Sequence, residues 1–324
     1  MRVTLVTGGS GFVGTWLVRA LLDAGDEVRV LARNPARLDR LPVERLQVIE
    51  GDVTDPEPVQ QAVRGCARVY HCAAFVGFGG AREHAPMMRV NVGGTRTVVD
   101  ACLEEGVERL VHTSSIAALG RPERSQGCYD ETTDWVESSL NTHYALSKHL
   151  AELEIHRGVA EGLDAVMVNP SLVMGPGRPG ENTMRIAGNL KRGKVPGIPS
   201  GATNVVDVRD VAAGHIAAMD RGRTGERYIL ASENLTWQVI LSTLADELGV
   251  QPPKRSISLR KALVAGAVSE VWARISGRPA LLTREAARVT GHRTCYENAK
   301  AVAELGVQFR PFLETARDMA AAVR

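Results

Sequence analysis

An excess of charge of either sign is missing from this 324-residue chain: 39 Lys and Arg stand against 37 Asp and Glu, a formal charge of +2. That balance removes the electrostatic footprint a nucleic-acid partner requires. Aromatic residues make up only 4%, too few for the stacking platforms that hold single strands. Cysteine is sparse. Cys66, Cys72, Cys102, Cys128 and Cys295 are odd in number, scattered and without a CxxC pair, which reads as reduced thiols in a cytoplasmic protein. The 8 histidines form no HExxH and no other paired spacing, so no metal site is expected. Long apolar runs are absent too. The stretch Ala262 to Val268 falls far below the ~18 residues of a membrane span. Val3 to Thr7, ahead of the first glycine cluster, is too short for the core of an export signal. The expectation is a soluble protein with a small-molecule substrate, no nucleic acid and no membrane partner.

What the chain has is enough apolar residue to bury a large core, 44% hydrophobic against 23% charged, so disorder is excluded as its dominant state. The first half alternates short apolar runs with helical patterns. Val3–Thr7, Glu27–Ala32, Leu46–Glu50, Arg68–Ala73, Arg109–Ser114 and Asp164–Asn169 read as strands. Their near-continuous apolarity fits strands covered on both faces, hence a parallel sheet between helices. Phe12–Ala24, Pro56–Arg64, Pro86–Glu105 and Thr142–Glu161 read as those helices. The alternation predicts an α/β fold with a doubly wound parallel sheet. After Pro170 the pattern changes. Gly175–Gly180 and Val195–Gly201 read as loops, Glu226–Ala231 as a strand, and Val211–Arg221, Trp237–Leu248, Arg260–Ser276, Thr283–Gly291, Glu297–Leu305 and Phe312–Val323 as helices. This predicts a smaller, mostly helical C-terminal substrate lobe. The expected division is 1–170 for the sheet domain, with 204–232 returning to it, and 171–203 plus 233–324 for the lobe.

Thr7-Gly8-Gly9-Ser10-Gly11-Phe12-Val13-Gly14 contains GxGxxG between the first strand and the first helix, the context in which that motif cradles a pyrophosphate. Glycines allow close backbone approach, and the helix N-terminus offers free N–H groups and partial positive charge. A carboxylate at the end of the second strand would select NAD(H) through the ribose hydroxyls. Here that strand runs into Arg33-Asn34-Pro35. Arg33, with Arg37 about a turn on, suits a 2′-phosphate, so NADP(H) is favoured over NAD(H). Further along, Tyr144-Ala145-Leu146-Ser147-Lys148 puts Tyr144 and Lys148 on one helix face, and Ser115 follows the fifth strand, where ligands sit in such sheets.

These motifs in order, with GDVTD at 51–55, HCAA at 71–74, NVGGT at 91–95, HTSSIAALG at 112–120, NPSLVMGPG at 169–177 and VRDVA at 208–212, resemble the extended short-chain dehydrogenase/reductase family, also called the NAD-dependent epimerase/dehydratase family. The resemblance implies a Rossmann domain and a catalytic trio of Ser115, Tyr144 and Lys148. Ser115 is preferred to Ser114 because it stands five residues before Gly120, as in the family's segment, although Leu119 stands where that segment often has Tyr. The cofactor contacts it implies are Gly8, Gly11, Phe12, Val13, Gly14, Arg33, Asp52, Val53, Ala73, Tyr144, Lys148 and Pro170. It also implies a structural hydrogen-bonding role for Asn91 and a domain-joining one for Asp210. His143 and His149 read as solvated helix residues, and Cys72 as a small buried residue rather than a nucleophile.

Nucleotide-sugar epimerases often carry Asn three residues before the glycine that follows the sixth strand. Leu172 occupies that place before Gly175. The segment is closer to dihydroflavonol reductase and 3β-hydroxysteroid dehydrogenase relatives. Apolar residues in Phe75–Phe78 and Lys261–Ile275 are candidates for a hydrophobic pocket or for ordinary lobe core. The expected activity is NAD(P)(H)-dependent interconversion of a ketone or aldehyde with an alcohol. A nucleotide-sugar epimerase/dehydratase and a non-catalytic NADP(H)-sensing protein are the alternatives, and a homodimer is a candidate assembly. In the expected chemistry Lys148 and a cationic nicotinamide together lower the pKa of Tyr144 toward 7, a shift of about 3 units from its free value of ~10.

Overall fold

The apolar runs assemble as expected from strands hidden on both faces. The computed structural model describes residues 3–77, 81–121, 127–276, 280 and 282–323. In its first half lie β1 (Val3–Thr7), α1 (Phe12–Asp23), β2 (Glu27–Ala32), β3 (Leu46–Glu50), α2 (Pro56–Val63), β4 (Cys66–His71), α3 (Ala81–Met88), α4 (Gly94–Glu104), β5 (Arg109–Thr113), α5 (His143–Ala160) and β6 (Ala165–Pro170). There follow β7 (Leu172–Met174), α6 (Met184–Lys191), β8 (Ile198–Pro199), β9 (Ala202–Asp207), α7 (Val208–Arg221), β10 (Arg227–Leu230), β11 (Glu233–Thr236), α8 (Trp237–Leu248), β12 (Ser256–Ile257), α9 (Leu259–Ser276), α10 (Arg284–Gly291) and α11 (Phe312–Val323).

Seven strands form one parallel sheet in the order β10-β6-β5-β4-β1-β2-β3. The chain reverses direction of travel between β1 and β4, and in doubly wound sheets the crevice beyond the carboxyl ends at that point receives the ligand. One face of the sheet is packed by α1 and α7 around Leu17, Leu21, Val30 and Val211. The other is packed by α2, α4 and α5 around Val59, Val98, Leu110 and Ile155. β10 returns from beyond residue 204 to lie against β6. A third core around Met184, Ile240, Leu244 and Phe312 holds the C-terminal region.

Several elements differ from expectation. Pro86 lies inside α3 instead of opening a helix, and a π-turn at Arg89–Gly93 joins α3 to α4. Residues 202–207 form a strand between β7 and β11, in a small mixed sheet, and Ile198–Pro199 pairs with β12 within an expected loop. Cys128 and Cys295 form a disulfide, which corrects the expectation of reduced thiols throughout; Cys66, Cys72 and Cys102 are free. The two cysteines are 167 residues apart with Cα atoms 4.5 Å from each other. A short backbone bridge brings them together: Tyr129 N donates to Cys295 O and Glu297 N to Tyr129 O. Among the described residues no helix is long and apolar enough to cross a membrane, and no group of three or more His, Cys, Asp or Glu is placed to hold a metal ion.

Candidate active site

The glycine turn is built by contacts that leave no room for side chains. Gly8 has φ +71°, and a Cβ there would lie 2.6 Å from the Ala73 backbone nitrogen. A Cβ on Gly14 would lie 2.2 Å from the Gly8 carbonyl oxygen. Gly11 N donates to Gly8 O, and Thr15 Oγ1 closes the turn on the carbonyls of Gly9 and Gly11. The N-terminus of α1, with Phe12, Val13 and Gly14 in its first turn, therefore opens directly over the end of β1. This cradle is the fit that a dinucleotide pyrophosphate needs. Gly14→Ala is expected to cost about 1–3 kcal/mol of stability, because backbone must move to admit the methyl group, and to loosen cofactor binding with it. An unchanged melting temperature together with unchanged cofactor affinity would show that the contact is not tight.

A buried polar chain ties β1 to β4 beneath the turn. Ala73 N donates to Thr7 Oγ1, whose hydroxyl lies 2.7 Å from His71 Nδ1; His71 Nε2 lies 3.0 Å from Thr95 Oγ1, which donates to Asn91 O. Since Thr95 uses its proton on Asn91, His71 must donate from Nε2 and accept at Nδ1. Burial holds this imidazole neutral, pushing its pKa down to about 3. Asn91, in the π-turn, accepts from Phe75 N and donates to Phe75 O and to Ser147 Oγ, joining the loop after β4 to the helix that carries Tyr144.

That helix, α5, starts where Thr142 accepts from Ala145 N, while Glu285 of α10 accepts from His143 N. In its first turn Tyr144 is hydrogen-bonded to Ser115, and one turn on Lys148 Nζ donates to Thr113 O at 2.7 Å. Ser115 is half-buried and caps a single turn by accepting from Ala117 N, whereas neighbouring Ser114 is buried. The serine that meets the tyrosine is thus Ser115. Burial pushes the Tyr144 phenol up to about 12, with the Ser115 hydrogen bond opposing it, and pushes Lys148 down to about 8, opposed by Glu152. Among the chain's own groups desolvation outweighs the Ser115 hydrogen bond, so Tyr144 stands as a protonated phenol; the lowering toward 7 is the expectation for a cationic nicotinamide bound beside Lys148. Cys72 lies by Thr113 and Lys148, its thiol pushed up to about 11 by burial and therefore unreactive.

Sequence reasoning missed the groups behind Lys148. Glu152, 2% exposed, accepts from Asn169 Nδ2 at 2.6 Å and faces Arg227 Nη1 at 3.4 Å. Asn169 also donates to Ser115 O. Arg227 donates to the carbonyls of Glu131 and Thr133, fastening the segment that leads into α5. The available signal was spacing, since Glu152 follows Lys148 by four residues and so shares its face. His143 and His149 are half-buried rather than solvated: His149 stacks on Trp135 at 4.4 Å and His143 meets the His84 ring at 4.7 Å.

The remaining expected cofactor residues lie on the same carboxyl edge. Arg33 follows β2, exposed and 3.8 Å from Asp52. Asp52 and buried Val53 follow β3, with Asp52 Oδ1 accepting from both Thr54 N and Thr54 Oγ1. Ala73 follows β4, and buried Pro170 ends β6. Arg37 does not join Arg33; it pairs with Glu181 at 2.7 Å. A cavity of about 310 Å³ opens between the start of α1 and the segment Pro176–Asn182, with Trp16 Nε1 donating to Pro176 O. Asp210 binds Arg310 through its backbone N–H and its guanidinium, joining α7 to the C-terminal segment. Of the two expected pocket segments, Phe78 lies outside the described residues, and the large apolar side chains of 264–275 are exposed, which corrects their reading as lobe core.

Residues 4–231 match the family model described as the NAD dependent epimerase/dehydratase family. A putative dihydroflavonol 4-reductase from Synechocystis is 36% identical over 308 residues, covering 93% of this chain and 89% of that protein. Sterol demethylase protein B of Methylococcus capsulatus is 38% identical over 79% of this chain and 78% of its own, and cinnamoyl-CoA reductase 1 of Oryza sativa is 32% identical over 70% of each. The crystal structure of gox2253 superposes with a TM-score of 0.84 at 33% identity, over 99% of this chain and 98% of that one. A dTDP-glucose 4,6-dehydratase from Streptomyces venezuelae, solved with NAD and TYD bound, has a TM-score of 0.78 at 25% identity, over 99% and 96%. The chain belongs to the NAD-dependent epimerase/dehydratase family, as an NAD(P)-dependent enzyme of the extended short-chain dehydrogenase/reductase type.

Proposed function

We propose that the protein interconverts a ketone or aldehyde with an alcohol, with NADP(H) favoured over NAD(H), on a fairly hydrophobic substrate. The observation that carries this reading is the Ser115–Tyr144 hydrogen bond beside Lys148 at the carboxyl ends of β5 and β6. The reductase names of several relatives support the direction, and Leu172 in place of an epimerase-like Asn speaks against a nucleotide sugar. The nicotinamide, when bound, supplies or accepts the hydride. Ser115 hydrogen-bonds the substrate oxygen, Tyr144 gives it the proton, and Lys148 holds the nicotinamide ribose. Gly8, Gly11, Phe12, Val13 and Gly14 would hold the pyrophosphate, Asp52 and Val53 would flank the adenine, and Ala73 would lie along the cofactor with Pro170 near its nicotinamide. Residues 171–203 and 233–324 form the substrate side. Incubation with NADPH and a panel of aryl and alicyclic ketones, aldehydes and nucleotide sugars tests the reading. Net cofactor oxidation with a carbonyl compound supports it; sugar conversion without net cofactor turnover replaces it with epimerisation.

Glu152 acts in this scheme as a positioning residue, keeping Lys148 an ammonium. Glu152→Gln retains an acceptor for Asn169 but removes the charge that opposes desolvation of Lys148. Lys148 then loses its proton at lower pH, and the alkaline limb of kcat/KM should move down by roughly one pH unit. A variant slowed equally at every pH would mean that Glu152 serves structure alone.

A further inference from the structure

The outer face of α9 is unlike the rest of the surface. Val264, Val268, Val271, Trp272 and Ile275 are 66%, 65%, 55%, 65% and 76% exposed. At 100° per residue they fall within roughly a 100° arc. The inner face of the helix is small instead: Gly266 and Ala273 are buried, and a Cβ on Gly266 would lie 2.8 Å from Arg284 N in α10. So α9 packs closely by its small residues and presents its large ones to the outside. Exposed large hydrophobics are ordinary when scattered, but a contiguous stripe marks a contact surface.

Charge identifies the partner. Between residues 252 and 294 nine Lys and Arg stand against two carboxylates, in a chain whose net charge is only +2. Glu270 pairs with Arg284, so those two charges cancel, and Glu285 accepts from His143 N, which leaves the other cations among the described residues there unpaired with either carboxylate. Arg260, Lys261 and Arg274, all exposed, flank the stripe. A second copy of this face would bring two basic surfaces together, which like-charge repulsion opposes. A nucleic acid would meet valines where it needs cations. An anionic bilayer satisfies both parts, taking the apolar stripe into the acyl boundary and the cations among its headgroups.

We propose that α9 docks the protein onto anionic lipid surfaces, lying in the interface without crossing it. The test is sedimentation of the full chain with vesicles of phosphatidylcholine alone and of phosphatidylcholine mixed with phosphatidylglycerol. The intact protein should bind the mixed vesicles and lose them as salt is raised. Val268→Glu with Trp272→Glu should weaken binding at least about tenfold, and Arg260→Gln with Lys261→Gln should weaken it on the mixed vesicles, both with the melting temperature and cofactor affinity unchanged. No binding of the intact protein to the mixed vesicles, or equal binding by the Val268/Trp272 variant, overturns the proposal. So does a dimer in the absence of lipid that this variant dissociates, which would give the face to a second copy.

Discussion

Tyr144→Phe is expected to lower carbonyl-reductase turnover about 10²–10⁴-fold, with cofactor affinity and melting temperature nearly unchanged. The ring stays in place, so the packing at the start of α5 is kept and only the hydroxyl bonded to Ser115 is lost. The size of the loss follows from the state of that hydroxyl. Held up to about 12 by burial, the phenol keeps its proton throughout the neutral range. It is thus present in the form that reduction consumes. An alkoxide forming on the substrate carbon is a stronger base than phenolate, so proton transfer from Tyr144 runs downhill despite the raised pKa. Without it the oxygen must find its proton from water in a site that Ser115 alone orients. The same protonation state predicts a reduction rate nearly flat through neutral pH. Measurement of kcat and cofactor Kd for both forms checks the assignment: near-normal turnover in Tyr144→Phe would require another acid.

How far the site was legible in the sequence depended on whether its parts were local. Gly8 to Gly14 and Tyr144 to Lys148 are short patterns whose meaning is set by the strand or helix around them, and the strands of the main sheet declared themselves as short apolar runs, even though edge strand β3 is largely exposed. The small sheet was not legible. Its outer strands β7 and β11, and β8 and β12 of the two-stranded pair, are two to four residues long, too short for periodicity to register. The Cys128–Cys295 bond depends on a bridge between segments 167 residues apart, which no spacing encodes. Periodicity in α9 correctly predicted a helix, yet it could not say which face turns inward. Small residues at Gly266 and Ala273 let that helix pack by the side that composition would leave exposed. The spacing shows Tyr144 and Lys148 on one helix face, while the burial that pushes the Tyr144 phenol up to about 12 among the chain's own groups belongs to the tertiary structure.

Arg33→Ala is expected to weaken NADPH binding by about 10- to 150-fold while hardly changing NADH. The motivating placement is at the end of β2, where the guanidinium is 68% exposed and 3.8 Å from Asp52. An ion pair so long and so open to water contributes little. The guanidinium can therefore turn to a ribose 2′-phosphate at small cost, forming a bidentate contact worth roughly 1.5–3 kcal/mol, which is the stated range of affinity. Arg37 cannot substitute without giving up Glu181, to which it is bound at 2.7 Å. NADH lacks the phosphate and so registers no loss. Arg33→Asp should go further, repelling the 2′-phosphate and offering an acceptor to the ribose hydroxyls of NADH, so that preference inverts. Dissociation constants of both cofactors for the wild type and the two variants decide the matter. Equal losses of NADPH and NADH in Arg33→Ala, or a wild type that already prefers NADH, would make Arg33 a residue that covers the adenine and would return the cofactor to NAD(H).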